Sequence, residues 1–219
     1  MIRKTCIALL LALGITGGVR AQHQYDKDVQ TIKDYEAMYV PPKNPILFTG
    51  SSSIRKWEDL ERTFAGYVAM NRGIGGAVTT DITYFAKQLI FAYHPRQIVL
   101  YVGENDLVQE GMTADSIFHN FKRLYAAIRQ QLPEAPLEYI SIKPSPSRVQ
   151  YIKTAEAANR LISAFLAKER HAHFINIFPL MLTKDGKPRP ELFVEDMLHM
   201  NARGYAIWRK AVEPYLLKQ

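Results

Sequence analysis

The run Gln97-Ile98-Val99-Leu100-Tyr101-Val102 restricts the fold more than any other, because its apolar residues do not alternate with polar ones. A strand with one wet face alternates with a period of two. A strand apolar throughout is covered on both faces, which is the habit of parallel sheets sandwiched between helices. Four further runs keep it company, each ending in a turn. Pro45 to Thr49 leads into Gly50-Ser51-Ser52-Ser53, and Gly66 to Asn71 leads into Arg72-Gly73-Ile74-Gly75-Gly76. Leu137 to Ile142 leads into a Pro/Ser-rich loop, Lys143 to Ser147, and His173 to Phe178 into an irregular stretch, Leu180 to Met197, with a turn at Lys184-Asp185-Gly186-Lys187.

Helical periodicity fills the intervals. Ile82, Phe85, Ala86, Leu89 and Ile90 make one apolar face, ended by His94-Pro95. Ile117, Phe118, Phe121, Leu124, Tyr125, Ile128 and Leu132 make a second, and Ala158, Leu161, Ile162, Phe165 and Leu166 a third. Thr79 or Thr80 is the expected cap of the first of these helices, and Asn201 of a last helix through Ile207, Trp208 and Ala211. Ahead of them all, Asp26 to Val40 predicts a packing helix with Val29, Ile32, Tyr35 and Tyr39 on its buried face, stopped by Pro41-Pro42. Five strands alternating with helices predict an α/β fold, a parallel sheet with helices on both faces, because right-handed crossovers deliver helices to each side.

Composition limits the remainder. At 219 residues, 47% hydrophobic and 22% charged, the chain suits one domain with a sizeable core. Arg3 and Lys4 precede an apolar run from Cys6 to Ile15 and small residues around Val19-Arg20-Ala21, the pattern of a secretory signal cut after Ala21. The expected organisation is therefore a leader, residues 1–21, and a single domain, residues 22–219, secreted or periplasmic. Cleavage removes three cations and lowers the formal charge from +7 to +4. It also removes Cys6, the one cysteine, so the exported domain has no disulfide and no thiol nucleophile. Lys4-Thr5 before Cys6 does not suit a lipoprotein cleavage site. No basic cluster interleaved with aromatics and no second long apolar run occurs, which gives neither nucleic-acid binding nor membrane insertion support.

The turns after the strands hold the chemistry, at the carboxyl edge where open α/β sheets bind ligands. Ester hydrolysis by nucleophilic attack needs a hydroxyl, a base, a carboxylate to orient the base, and donors for the oxyanion. Ser52 would attack, His199 would take its proton, and Asp196 in Asp196-Met197-Leu198-His199 would fix the imidazole tautomer. The backbone N–H groups of Ser52 and Gly76 and the side-chain amide of Asn105, in Gly103-Glu104-Asn105-Asp106, would serve the oxyanion. Ser51 and Ser53 remain alternative nucleophiles in the triple serine. No metal is expected: His171 and His173 suit an edge strand, with no carboxylate or cysteine cluster at ligand spacing. His23, His94 and His119 read as solvated.

Gly50-Ser51-Ser52-Ser53, the Asn71 to Gly76 turn, Gly103-Glu104-Asn105-Asp106 and Asp196-Met197-Leu198-His199 resemble, in order and spacing, the four motif blocks of SGNH (GDSL-type) hydrolases. The resemblance covers nearly all of the chain after the leader. It implies a flavodoxin-like three-layer fold, no cofactor, and esterase or lipase chemistry, with Ser52, Gly76, Asn105 and His199 in the name-giving positions and Asp196 as the triad acid. Counting from Gly50 selects Ser52 among the three serines. The chain departs from the family in having Ser51 where Asp is usual, Ser53 where Leu is frequent, and Val78 where Thr is common, the last expected to loosen its loop. Rival patterns fit less well. Gly73-x-Gly75-x-x-Val78 lacks the third glycine or alanine of a dinucleotide loop, and Ile54 stands where a nucleophile elbow of the G-x-S-x-G type needs glycine. The expected activity is hydrolysis of short-acyl esters, O-acetyl groups on carbohydrate above all. A lysophospholipase or lipase-type acylhydrolase and an inactive secreted glycan-binding module are the alternatives. Oligomeric state is not legible.

Overall fold

A computed structural model describes residues 23–218. The expected leader, with Cys6 and the cut after Ala21, lies outside the described residues. In chain order the elements are α1 (Asp26–Met38), β1 (Ile46–Gly50), α2 (Ser52–Arg55), α3 (Leu60–Thr63), β2 (Ala69–Gly73), α4 (Thr79–Tyr84), α5 (Ala86–Leu89), β3 (Gln97–Tyr101), α6 (Ala114–Gln131), β4 (Leu137–Ile140), α7 (Ile152–Leu166), β5 (Ala172–Ile175) and α8 (Ala202–Val212), with short 3₁₀ turns between several of them. The five strands form one sheet in the order β2-β1-β3-β4-β5, every pairing parallel.

Successive strand residues point to opposite faces, so each continuous apolar run feeds two cores at once. Leu47, Met70, Ile98, Leu100, Leu137 and Tyr139 face α4 to α7. Ile46, Phe48, Ala69, Val99, Tyr101 and Ile140 face α2, α3 and α8, where Trp57, Phe64 and Trp208 pack. The molecule is a three-layer α/β sandwich, the architecture that the resemblance implied.

Several boundaries differ from expectation. Gly66 to Val68 is not strand: Ala65–Tyr67 is a 3₁₀ turn closed by Val68 in the left-handed region, and pairing with β1 runs from Ala69 to Gly73. β5 begins one residue early, at Ala172, and stops at Ile175. Thr79 is the first residue of α4 rather than its cap. The flanking position is Val78, whose N–H donates to Asp81 Oδ2 at 2.8 Å, while Thr79 N–H donates to the Asp106 carboxylate at 3.0 Å. Two carboxylates thus accept the first N–H groups of this segment, where a threonine cap was expected, and tie down the loop at Val78. Asn201 caps α8 as expected, its Oδ1 accepting from Arg203 and Gly204 N–H.

The expected packing face of α1 is only half realised. Val29 is buried, but Tyr35 and Tyr39 are exposed and stack on each other, with ring centres 4.7 Å apart. Ionic contacts hold this helix instead: Asp28 to Arg55 at 2.6 Å, and Glu36 to Arg72 at 2.5 Å and to the Tyr93 hydroxyl at 2.6 Å. His23, expected to be solvated, is half-buried. It stacks on Tyr84 and lies 3.2 Å from Asp81. His94 and His119 are exposed.

Candidate active site

Parallel register brings the ends of β1, β2 and β3 level, with Gly50 beside Gly73 on one side and Tyr101 on the other. The serine turn begins there. Gly50 has φ +125°, and a Cβ on it would lie 1.9 Å from the Tyr101 carbonyl oxygen, so no other residue fits between β1 and β3. Ser51 N–H donates to that same carbonyl at 2.9 Å. The chain then enters α2, whose residues project about 100° apart. Ser51 and Ser53 are fully buried, with their hydroxyls unpartnered among the described residues, whereas Ser52 is half-buried and faces the site.

The Ser52 Oγ lies 2.9 Å from His199 Nε2, across 147 positions of sequence. On the other side of the ring, His199 Nδ1 lies 2.5 Å from Asp196 Oδ2. The Asp-x-x-His turn explains why this spacing works. Met197 sits in the left-handed region at φ +53°, which folds the chain back so that Asp196 Oδ1 also accepts the N–H groups of Leu198 at 2.9 Å and His199 at 2.8 Å. Partial burial pushes the Asp196 carboxyl up, but the hydrogen bonds from the His199 ring and these two amides outweigh it and hold the group well below the usual carboxylate range. It is ionised, and an ionised acceptor at Nδ1 keeps that nitrogen protonated and leaves Nε2 free to accept from Ser52.

Gly76, at φ +80°, stands in the loop after β2, and Asn105 in the turn after β3. The two are linked, because Asn105 Nδ2 donates to the carbonyl of Ala77 at 3.0 Å. The backbone N–H groups of Ser52 and Gly76 make no hydrogen bond among the described residues. The Tyr25 hydroxyl lies 3.0 Å from where a Cβ on Gly76 would stand, so the lead-in to α1 walls this loop.

Residues that the sequence reading passed over complete the surroundings. Glu104 is buried and receives the Tyr101 hydroxyl at 3.0 Å, the Lys143 ammonium and the Ser145 hydroxyl. Arg148 donates to the Glu104 carbonyl and, at 2.9 Å, to Asn105 Oδ1. Burial pushes the Lys143 ammonium down, and Glu104 opposes that. Burial also pushes Asp106 up against the opposing hydrogen bonds from Thr79. A charged glutamate inside a glycine turn is the one local signal; its partners Lys143 and Ser145 lie 39 and 41 positions away in a loop that reads as merely polar.

His171 and His173 each face a carboxylate, Glu134 at 3.2 Å and Glu138 at 3.0 Å. No group of three His, Cys, Asp or Glu side chains among the described residues is placed to hold a metal ion. No described helix is long and apolar enough to cross a membrane.

Residues 41–207 match the GDSL-like lipase/acylhydrolase family. The chain belongs to that family. This GDSL-like acylhydrolase is 25% identical over 179 residues to platelet-activating factor acetylhydrolase IB subunit alpha1 of Pongo abelii, a match spanning 79% of this chain and 75% of the relative. A Streptococcus pneumonia structure named for platelet-activating factor superposes with a TM-score of 0.76 at 20% identity, covering 87% of this chain and 92% of that one. A variant of a Geobacillus acetyl-xylooligosaccharide esterase superposes with a TM-score of 0.62 at 13% identity, covering 82% and 97%. Family membership makes the chain an ester hydrolase with an α/β sandwich fold.

Proposed function

We propose that this GDSL-like acylhydrolase is an exported serine esterase that removes short acyl groups, chiefly O-acetyl groups from carbohydrate. The observation that carries the mechanism is the hydrogen-bonded line from Ser52 through His199 to Asp196. Ser52 Oγ attacks the ester carbonyl while His199 Nε2 takes its proton. The carbonyl oxygen, now an oxyanion, receives the N–H groups of Ser52 and Gly76 and the second amide proton of Asn105, whose first is held by Ala77. As the tetrahedral intermediate collapses, His199 returns the proton to the leaving alcohol and the acyl group stays on Ser52. Water, deprotonated by the same imidazole, then releases it as the carboxylic acid.

Two features support a short acyl group. Each methylene of a longer chain needs apolar cover worth roughly 0.8 kcal/mol, yet of the apolar residues around the triad loop Leu192, Phe193 and Met200 are already buried beneath it, which leaves Val194 and Met197 as the large apolar side chains exposed there. An apolar groove of about 510 Å³ does exist along α7 and β5, but no triad residue lines it. A polar groove of about 670 Å³ runs between α3 and the start of α8, past Lys56, Glu58, Glu61, Asn201 and Tyr205; no triad residue lines it, but Met200 and Asn201 bring it next to His199, and its surface suits hydroxylated alcohols. Both a sequence relative and a structural neighbour carry acetyl esters in their names. The word lipase in the family description keeps a second reading, an acylhydrolase acting on lipid-borne esters.

Comparing kcat/KM for aryl acetate, butyrate and octanoate, with Ser52→Ala as control, tests the acyl preference; a steady rise to octanoate overturns it. An unreactive Ser52 toward a fluorophosphonate probe would instead favour a glycan-binding module. Export is proposed from the leader pattern at Arg3 to Ala21, and N-terminal sequencing of secreted or periplasmic protein should find Gln22 first.

A further inference from the structure

We infer that Arg148 is a positioning residue for the oxyanion-binding amide of Asn105, and that the segment Lys143 to Arg148 is the strap that holds the two halves of the site in register. The inference rests on the reading of Asn105 as an oxyanion donor.

A side-chain amide has two chemically opposite ends, and turned the wrong way it would aim its oxygen at the developing negative charge. Two neighbours forbid that. Guanidinium can only donate, so Arg148 Nη2, at 2.9 Å, fixes the Asn105 oxygen. A carbonyl can only accept, so Ala77 O, at 3.0 Å, fixes the Asn105 nitrogen. With both ends committed, one amide proton remains, and its direction is set. Arg148 does more than orient: a cation on the amide oxygen draws electron density from the nitrogen and strengthens the remaining N–H as a donor.

Arg148 is held in turn. Its other nitrogen donates to the Glu104 carbonyl, next in the chain to Asn105. Its own backbone N–H is bonded to Ser145 O at 3.0 Å, while the Ser145 hydroxyl and the Lys143 ammonium both bind the buried Glu104 carboxylate. On its opposite side the strap reaches the triad loop, where Ser147 N–H donates to Met197 O at 3.0 Å. The Lys143–Glu104 pair is almost completely buried. An ion pair so placed gains little stability over apolar residues of the same volume, so a role in fixing geometry is the better account of it.

A double-mutant cycle on aryl acetate tests this, reading kcat and KM separately, with thermal melting to check the fold. In the presence of Asn105, Arg148→Met should lower kcat about 10- to 100-fold with KM nearly unchanged, the effect of losing one charge-assisted bond. Arg148→Lys, which can keep one of the two bonds, should fall between, and it stands in should the methionine variant not fold. In the Asn105→Ala background the same Arg148 substitutions should cost less than about threefold. Equal losses with and without Asn105 would overturn the inference and leave the oxyanion reading standing. An Asn105→Ala variant with undiminished kcat would overturn the oxyanion reading itself.

Discussion

Replacing Asp196 by asparagine should separate the two jobs that one carboxylate performs. Its Oδ1 accepts the backbone N–H groups of Leu198 and His199, and its Oδ2 faces His199 Nδ1 at 2.5 Å. An asparagine can keep the first job with its amide oxygen, but it then turns an NH₂ group toward Nδ1. Two donors cannot share that contact, so the ring moves its proton to Nε2, the nitrogen that must accept from Ser52. The expected loss in kcat is about 10⁴-fold, the cost of the wrong tautomer in serine triads, or about 5.4 kcal/mol at 1.36 kcal/mol per decade. Stability should fall only modestly at neutral pH, because the turn keeps its backbone bonds and the Asp196 side chain is 44% exposed. The pH dependence has a definite sign. Asp196 is depressed in the fold, so its contribution to stability is present above its unfolded value of about 3.9 and is lost as pH falls through the lower folded value. The difference in melting temperature between wild type and Asp196→Asn should therefore be flat above about pH 5 and shrink only below about pH 4. Aryl acetate kinetics and thermal melts across that range supply both readouts. A variant that folds cooperatively and keeps more than a tenth of kcat would refute the tautomer argument.

Three further outcomes follow from the geometry. Ser52→Ala and His199→Ala should each lose about 10⁴-fold or more in kcat and together hardly more, whereas Asn105→Ala should lose about 10²- to 10³-fold; activity surviving in Ser52→Ala but not in Ser51→Ala or Ser53→Ala would move the nucleophile. Gly50→Ala should give insoluble or strongly destabilised protein, seen by expression and melting, since its Cβ would overlap the Tyr101 carbonyl. Lys143→Met should destabilise by about 3–5 kcal/mol in urea unfolding by stranding the Glu104 charge, and Lys143→Met with Glu104→Gln should recover most of it.

What the sequence made legible was whatever is decided locally. Gln97 to Val102 announces its burial by composition, Asn201 its cap by position, and the four turns their place at one sheet edge by following strands. β2 was misplaced because Gly66-Tyr67-Val68 has strand-like side chains, while the turn at Val68 is set by backbone angles that composition does not encode. Tyr35 and Tyr39 matched the period of a buried face, yet ionic contacts with Arg55 and Arg72 anchor α1 elsewhere. Ser52, His199 and Asp196 are spread through the chain and brought by the fold into one hydrogen-bonded line, yet each sits in a short motif that could be picked out. Glu104, Lys143 and Arg148 could not, because a buried ion pair across 39 positions leaves no pattern in either segment.

The bond between Ser52 and His199 closes a loop of 147 residues, and that distance along the chain has a kinetic side. The proposed nucleophile and oxyanion donors all precede residue 106, whereas the proposed acid and base arrive together at positions 196 and 199, just ahead of a helix that must insert Trp208 between Trp57 and Tyr101. A partly folded chain can possess the first set without the second. Closing so long a loop comes late, because its entropy is lost before the contact returns anything. Catalytic turnover in a refolding chain should thus emerge in step with the fluorescence change of Trp57 and Trp208, and ester hydrolysis becomes a clock for the final closure of the molecule.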